Sequence, residues 1–188
     1  EISLGLVGSE MCIRDRSNIL KSAGAVLGKQ TVINYVGYMM DSYMLFTLQN
    51  YAAKLVEKET SPKYYFMDTG LLGLMLMDCS SAQLENLVAI ELIRRYGREN
   101  VFYFEKNVEI DFYVPEEKLA IQVSLQVLDQ IDTREREIGA FVKLKNFIGD
   151  ATCLLITNSE EEELDYEGVH VSVVPVWKWL LQNRKQDI

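Results

Sequence analysis

Histidine and cysteine, which supply many metal ligands and nucleophiles, are scarce in this chain of 188 residues. The single histidine, His170, cannot make a metal site or a nucleophile–base pair on its own. The three cysteines, at positions 12, 79 and 153, have neither metal-site nor disulfide spacing. We interpret them as free thiols in a reducing compartment, which predicts a cytoplasmic protein.

Positive charge and long apolar runs are lacking as well. Nineteen Lys and Arg stand against 28 Asp and Glu, for a formal net charge of −9. This balance argues against a protein that coats DNA, because phosphate binding needs clustered Lys and Arg, although it allows a local basic face. No apolar run reaches the roughly 18 residues of a membrane span. No signal peptide is visible, so we expect no membrane partner.

The N-terminal segment lacks a phosphate-binding loop, since GLVGSE has no Lys-Ser/Thr ending. The run GLVGSEMCIRD matches the translation of a sequencing-library adaptor, whose codons give Val7 to Asp15 directly. We therefore interpret residues 1–16 as non-biological and exclude them from the fold. The expectation that follows is a natural protein that begins upstream, with this chain as its C-terminal fragment.

Two strand-like runs around a charged turn form the centre of the chain. EIDFYV and LAIQVSLQV alternate apolar and polar residues, and the turn between them reads PEEK. This pattern predicts a hairpin with Asp111 on its first strand and Gln122 and Ser124 on its second. Because side chains two residues apart share a strand face, Gln122 and Ser124 point the same way.

A strong helix is predicted over Gln83–Tyr96, where apolar residues recur at helical spacing. Two of its acids, Glu85 and Glu91, are six residues apart, so roughly 240° separates them around the helix axis. They cannot both face one site. We interpret Glu91 as an ion-pair partner of Arg94 or Arg95.

Residues 17–48 also show helical spacing, and the polar face of this segment offers Lys29, Gln30 and Asn34. Two strands, in MLFTLQNY and KYYFMD, are predicted within Leu45–Asp68. This combination resembles the latter part of a winged helix, whose helix can enter a DNA major groove. The alternative is a helix that only packs under a strand.

The C-terminal third alternates helices and strands. A helix is predicted over Asp132–Ile148, and its charged start, with Arg134 and Arg136, is either solvated or touches phosphate. Strand ATCLLITN, an acidic loop over Ser159–Glu167, strand VHVSVVPV and helix VWKWLLQN follow. The order of elements predicts an α/β (α+β) fold, with a mixed sheet flanked by helices.

The central hairpin resembles the core of the PD-(D/E)xK, or restriction-endonuclease-like, fold. There the first strand supplies an acid, and the next strand supplies an acid and a lysine two residues apart. The resemblance places Asp111 at the first acid, Gln122 at the second, Ser124 at the lysine, and Glu85 as the acid of the first helix. Asp111 and Glu85 are then the implied metal ligands. Because serine supplies no cation and glutamine no charge, this correspondence predicts a catalytically impaired, vestigial site.

Taken in order, motifs such as KYYFMDTGLL, LENLVAIEL, EIDFYV and AIQVS are similar to the C-terminal region of a prokaryotic AAA-type ATPase family. The resemblance implies a partial winged-helix segment over 17–78 and a nuclease-like domain of unknown function over 79–188. It places ATP and Mg²⁺ in an upstream module in cis, and no cofactor in this fragment. The first functional hypothesis is a non-catalytic DNA-binding or regulatory module. The alternatives are a metal-dependent DNA endonuclease and a protein-interaction module that binds no nucleic acid.

Overall fold

The computed structural model describes residues 29–53, 62–71, 80–128 and 131–182. Within them, the helices are α1 (Lys29–Asp41), α2 (Ser80–Tyr96), α3 (Ile131–Ile148) and α4 (Val176–Gln182), with a 3-10 turn at Arg98–Asn100. The strands are β1 (Leu45–Asn50), β2 (Lys63–Phe66), β3 (Phe102–Glu105), β4 (Glu109–Val114), β5 (Leu119–Val123), β6 (Thr152–Thr157), β7 (Glu162–Tyr166) and β8 (Val169–Pro175). None of the described helices is long and apolar enough to cross a membrane.

One mixed sheet of eight strands runs in the order β2-β1-β3-β4-β5-β6-β8-β7. The pairings are mixed: β4 and β5 at the centre are antiparallel, whereas β6 pairs in parallel with β5 on one side and with β8 on the other. β6 is a nearly continuous apolar run, as expected of a strand that is covered on both faces. The predicted mixed α/β fold with flanking helices is confirmed.

Apolar side chains cover both faces of this sheet. Val88 and Leu92 of α2 and Trp179 of α4 belong to one core cluster. Ile138 and Phe141 of α3 belong to a second cluster. Neighbouring residues of one strand enter different clusters, because strand side chains alternate between faces. The sheet therefore separates α2 and α4 from α3.

Two boundaries differ from those predicted. The helical spacing predicts a helix through Leu48, but α1 ends at Asp41 and Tyr43 has a φ of 56°, which turns the chain into β1. The acidic loop predicted over Ser159–Glu167 is wrong, because β7 pairs antiparallel with β8 there. Within β7 only Leu164 is buried, so the segment shows no apolar alternation that would mark a strand.

The β1–β2 hairpin, assigned above to a winged-helix segment ending at residue 78, is part of the same sheet as the later strands. β1 pairs in parallel with β3, with Gln49 opposite Phe102 and Asn50 opposite Tyr103. The described strands on either side of that boundary therefore share one sheet and one core cluster. The first part of the winged-helix assignment, residues 17–28, lies outside the described residues.

Candidate functional site

The central hairpin opens where its polar residues lie. Backbone pairing between β4 and β5 ends at Phe112 opposite Ile121. Beyond that pair, the side-chain oxygen of Gln122 accepts a hydrogen bond from the Asp111 amide at 2.8 Å, and its Nε2 donates to the Glu109 carbonyl at 3.2 Å. In return, Asp111 Oδ2 accepts from the Val123 amide at 2.8 Å. Side-chain hydrogen bonds thus replace the backbone hydrogen bonds between β4 and β5 where these two strands diverge.

The structure brings three of the predicted site residues to one cavity. Glu85, Asp111 and Gln122 line a space of about 360 Å³ at this opening. Glu85 Oε1 accepts a hydrogen bond from the hydroxyl of Tyr65 at 2.9 Å. Ser124 is not among the described residues that line the cavity, and its hydroxyl donates to the Gln126 carbonyl at 3.2 Å. The helix and the hairpin therefore converge, whereas the serine takes no part.

A lysine from another strand supplies the positive charge that the hairpin motif lacks. The ammonium of Lys63, the first residue of β2, lies 2.6 Å from Glu109 Oε1, and its side chain has no solvent exposure. Asp111 and Glu85 also act on it electrostatically. A cation therefore acts on Asp111 although Ser124 supplies none. The hairpin pattern does not reveal this lysine, because β2 lies at the far end of the sheet.

Lys63 is charged despite its burial. Burial by itself lowers the pKa of Lys63, but the charges of Asp111, Glu85 and Glu109 outweigh it and raise that pKa. The ammonium also stands 5.2 Å from the centroid of the Tyr103 ring, which favours the charged form. Lys63 is thus an internal counter-ion for the acids around it.

The two inner acids have the opposite tendency. Burial raises the pKa of Asp111 well above its ordinary value, and the charge of Glu85 adds to this effect. Burial likewise raises the pKa of Glu85, although Lys63 and the Tyr65 hydroxyl partly oppose it. Burial also raises the pKa of Tyr65 well above its ordinary value, and the charge of Glu85 adds to this effect. Tyr65 therefore stays protonated and donates to Glu85.

Asn86 fixes the position of β2 against α2. Its side chain is fully buried, accepts a hydrogen bond from the Phe66 amide at 2.7 Å and donates to the Phe66 carbonyl at 3.0 Å. β2 is the edge strand of the sheet. The side-chain amide of Asn86 therefore binds the backbone groups of Phe66 that a further strand would otherwise pair with. The contact aligns Lys63 and Tyr65 on the strand with Glu85 on the helix.

Positive side chains stand at the rim of the cavity. Arg136 and Lys143 of α3 line it and are exposed. The guanidinium of Arg136 donates twice to Glu137 Oε1, at 2.6 and 3.1 Å, and Glu137 is buried below it. Of the two predicted roles of Arg136, a solvated position agrees with its exposed side chain, and a contact with phosphate stays a prediction.

The remaining predicted residues lie elsewhere. Glu91 binds Arg94 at 2.8 Å and Arg95 at 2.7 Å, so the interpretation as an ion-pair partner is confirmed. On α1, Gln30 donates to the side chain of Asn34 at 3.1 Å, and both are exposed. The side chain of Lys29 is outside the described part of the structure. A nucleic-acid contact by α1 stays a prediction.

The donor set of the cavity is small for a resident divalent metal. Among the described residues, no group of three or more His, Cys, Asp or Glu side chains is placed to hold one. The oxygen of Gln122 is engaged by the Asp111 amide, and the single charge of Lys63 already offsets part of the charge of the acids. The metal ligation by Asp111 and Glu85 that the resemblance implied thus gains no support from this arrangement.

Sequence reasoning missed Lys63, Tyr65 and Asn86. A lysine at the start of an aromatic strand, KYYF, was one available signal, since that strand is buried along its length. An asparagine amid the apolar residues of LENLVAIEL was another, because α2 buries Asn86 together with Leu84 and Val88. In both cases a polar residue stands at a position that the surrounding apolar residues predict to be buried, and a buried polar group needs a partner.

Changing Gln122 to glutamate is expected to lower the free energy of unfolding by about 1–3 kcal/mol at pH 7.5, because the donor to the Glu109 carbonyl is lost. The new carboxylate lies in an acidic pocket, so its folded-state pKa is raised. Its proton then stabilises the folded state at low pH, and this contribution is lost as pH rises. Urea unfolding at pH 5 and 7.5 measures the difference. Gln126→Glu, an exposed control, is expected to change stability little, and equal effects at the two sites would contradict the bridging role.

Comparison with known proteins gives one family match and one curated relative. Residues 12–83 match a domain of unknown function, DUF8612. The chain is 32% identical over 190 residues to the Uncharacterized protein MJ1544 of Methanocaldococcus jannaschii, covering 96% of this chain. It spans 43% of the length of that relative. No solved structure matches the chain.

Proposed function

We propose that this chain is a non-catalytic DNA-binding or regulatory module, as the C-terminal part of an AAA-type ATP-binding protein. The observation that carries the proposal is the internal ion cluster around Lys63. In a metal-dependent nuclease a cation neutralises the acids and activates water. Here a sealed ammonium supplies the neutralisation, and it has no exposed surface from which to act on a substrate.

Internal neutralisation favours binding without cleavage. Repulsion between the cavity acids and a phosphate group is reduced, because Lys63 offsets Asp111 and Glu85 from within. Arg136 and Lys143 then offer cations at the rim. The rim thus offers a surface to the sugar–phosphate backbone, while Ser124, which the resemblance puts at the lysine position of a nuclease, supplies no cation. The proposed ATP-binding module lies upstream in cis, which is compatible with a relative of which this chain spans 43%.

One experiment separates the three functional hypotheses. Purified chain is mixed with supercoiled plasmid and with a labelled duplex, in Mg²⁺, in Mn²⁺ and in chelator, across a salt series. We expect salt-sensitive binding of the duplex, since phosphate contacts release counterions, and no nicking in any condition.

Other outcomes would contradict the proposal. Nicking that needs a divalent metal and disappears in Asp111→Asn would show that the cavity is an endonuclease site. This variant keeps an oxygen that can accept from the Val123 amide, so it is suited to preserving the hairpin. Absence of both binding and nicking at low salt would favour the protein-interaction module.

A further inference from the structure

A basic and aromatic strip runs along one face of α3 and starts at the cavity. Arg136, Lys143 and Phe147 recur at seven and eleven residues along this helix. At roughly 100° per residue these positions lie within about 40° of one line, and at ~1.5 Å per residue they span about 16 Å. Lys106, from the turn between β3 and β4, joins the strip with its ammonium 5.6 Å from the centroid of the Phe147 ring. We call these four residues the α3 strip.

The α3 strip is exposed. The side chain of Arg136 is 74% exposed and Phe147 is 41% exposed, and Lys106 and Lys143 are both exposed. Phe147 is held in place by Phe104, whose ring centroid is 5.7 Å away. An aromatic ring fixed at the surface, with ammonium groups near it, stands out in a chain whose net charge is −9.

Two of the acids that face the α3 strip are already engaged. Glu137 is bound to Arg136, and Glu109 is bound to Lys63. Glu137 and, at longer range, Asp111 offset the charge of Arg136, so the positive character of the strip comes from Lys106 and Lys143, in contrast to the opposite side of α3. There Lys145 pairs with Asp150 at 3.0 Å, on a line about 180° from Arg136.

We propose that the α3 strip binds one strand of single-stranded nucleic acid and leads it to the cavity. The inference rests on the proposed nucleic-acid function and names the surface that performs it. Cations in a line fit the regular charges of a phosphate backbone, and Lys143 lies about 10 Å from Arg136 along the axis, roughly three nucleotides of a strand. Phe147 favours an unpaired strand, because only an unpaired base exposes its face for stacking.

The test compares two charge-matched double variants in fluorescence anisotropy with a labelled DNA of about 15 nucleotides. Lys106→Gln/Lys143→Gln removes two cations from the strip. Lys118→Gln/Lys145→Gln removes two exposed cations elsewhere, one at the far turn of the β4–β5 hairpin and one on the opposite side of α3. We expect on the order of a tenfold weaker affinity for the strip variant only, with a salt slope reduced by about 1.4. Phe147→Leu is expected to weaken single-strand binding at least about fivefold and to affect duplex binding less.

The outcomes distinguish failure of the α3 strip from failure of the proposed DNA-binding function. Binding by the wild type with equal losses in both double variants would overturn the α3 strip and leave the DNA-binding module standing. No binding of single strand or duplex would overturn both. Polyglutamate that competes as well as DNA, with the same loss in the strip variant, would assign the strip to an acidic protein partner instead.

Discussion

Replacing Lys63 with methionine is expected to lower the free energy of unfolding by about 3–5 kcal/mol at pH 7.5. The substitution keeps an unbranched side chain, one heavy atom shorter, but removes the charge that faces Glu85, Glu109 and Asp111. Asp111 and Glu85, both half-buried at the cavity, then lose this counter-ion, and a charge shielded from water is far more costly without a partner than with one. Urea unfolding monitored by circular dichroism measures the change.

The loss in the free energy of unfolding of Lys63→Met is expected to be smaller at acidic pH. The pKa values of Asp111 and Glu85 are raised by burial already in the wild type, and loss of Lys63 raises them further. A carboxyl with a raised folded-state pKa takes up its proton on folding. Its contribution therefore stabilises the fold at low pH and is lost as pH rises from the unfolded to the folded pKa. The gap between wild type and variant should be smaller at pH 5 than at pH 7.5.

Two controls make this result specific. Lys143→Met removes an exposed ammonium at the rim of the same cavity and should change stability by no more than about 0.5 kcal/mol. Adding Asp111→Asn to Lys63→Met should restore part of the loss, because one of the stranded charges disappears. A Lys63→Met protein as stable as the wild type at both pH values would refute the internal counter-ion.

The hairpin was predictable because its signal is local. Alternation in EIDFYV and LAIQV fixes which side chains face the sheet surfaces, and the turn between them fixes the pairing of β4 with β5. The same local reasoning separated Glu85 from Glu91 on α2, since their angle around the helix admits one of them to a site and not both. The structure brings Glu85 to the cavity and leaves Glu91 with two arginines.

Lys63 was not predictable in the same way, because its role depends on sheet order. It lies 46 residues before its partner Glu109, and strand β1 and then β3 stand between β2 and β4 in the sheet. The residue type also argues against a buried position for Lys63, since lysine is almost never fully buried unless it is paired. The hairpin alone therefore shows no positive group, because a strand outside it, β2, completes the cluster.

Exchanging Asn86 for leucine is the second substitution with a large expected effect, a loss of about 2–5 kcal/mol in the free energy of unfolding. Leucine matches the shape of asparagine but cannot bond to Phe66, so the amide and the carbonyl of that residue lose the partners shown at 2.7 and 3.0 Å. Each buried backbone group left without a partner costs about 1–3 kcal/mol. Asn146→Leu, at an exposed position of α3, is the matched control and should have little effect.

Hydrogen exchange distinguishes this specific loss from general destabilisation. In the wild type the Phe66 amide is bound by a buried side chain, whereas the next amide, of Met67, donates to the Met44 carbonyl at 3.0 Å. Asn86→Leu should therefore speed exchange at Phe66 more than at Met67. Equal acceleration at both would mean that β2 is held by its packing alone. Since β2 carries Lys63 and Tyr65, a selective effect would show that one buried amide on α2 aligns the strand that neutralises the cavity acids with the helix that supplies Glu85.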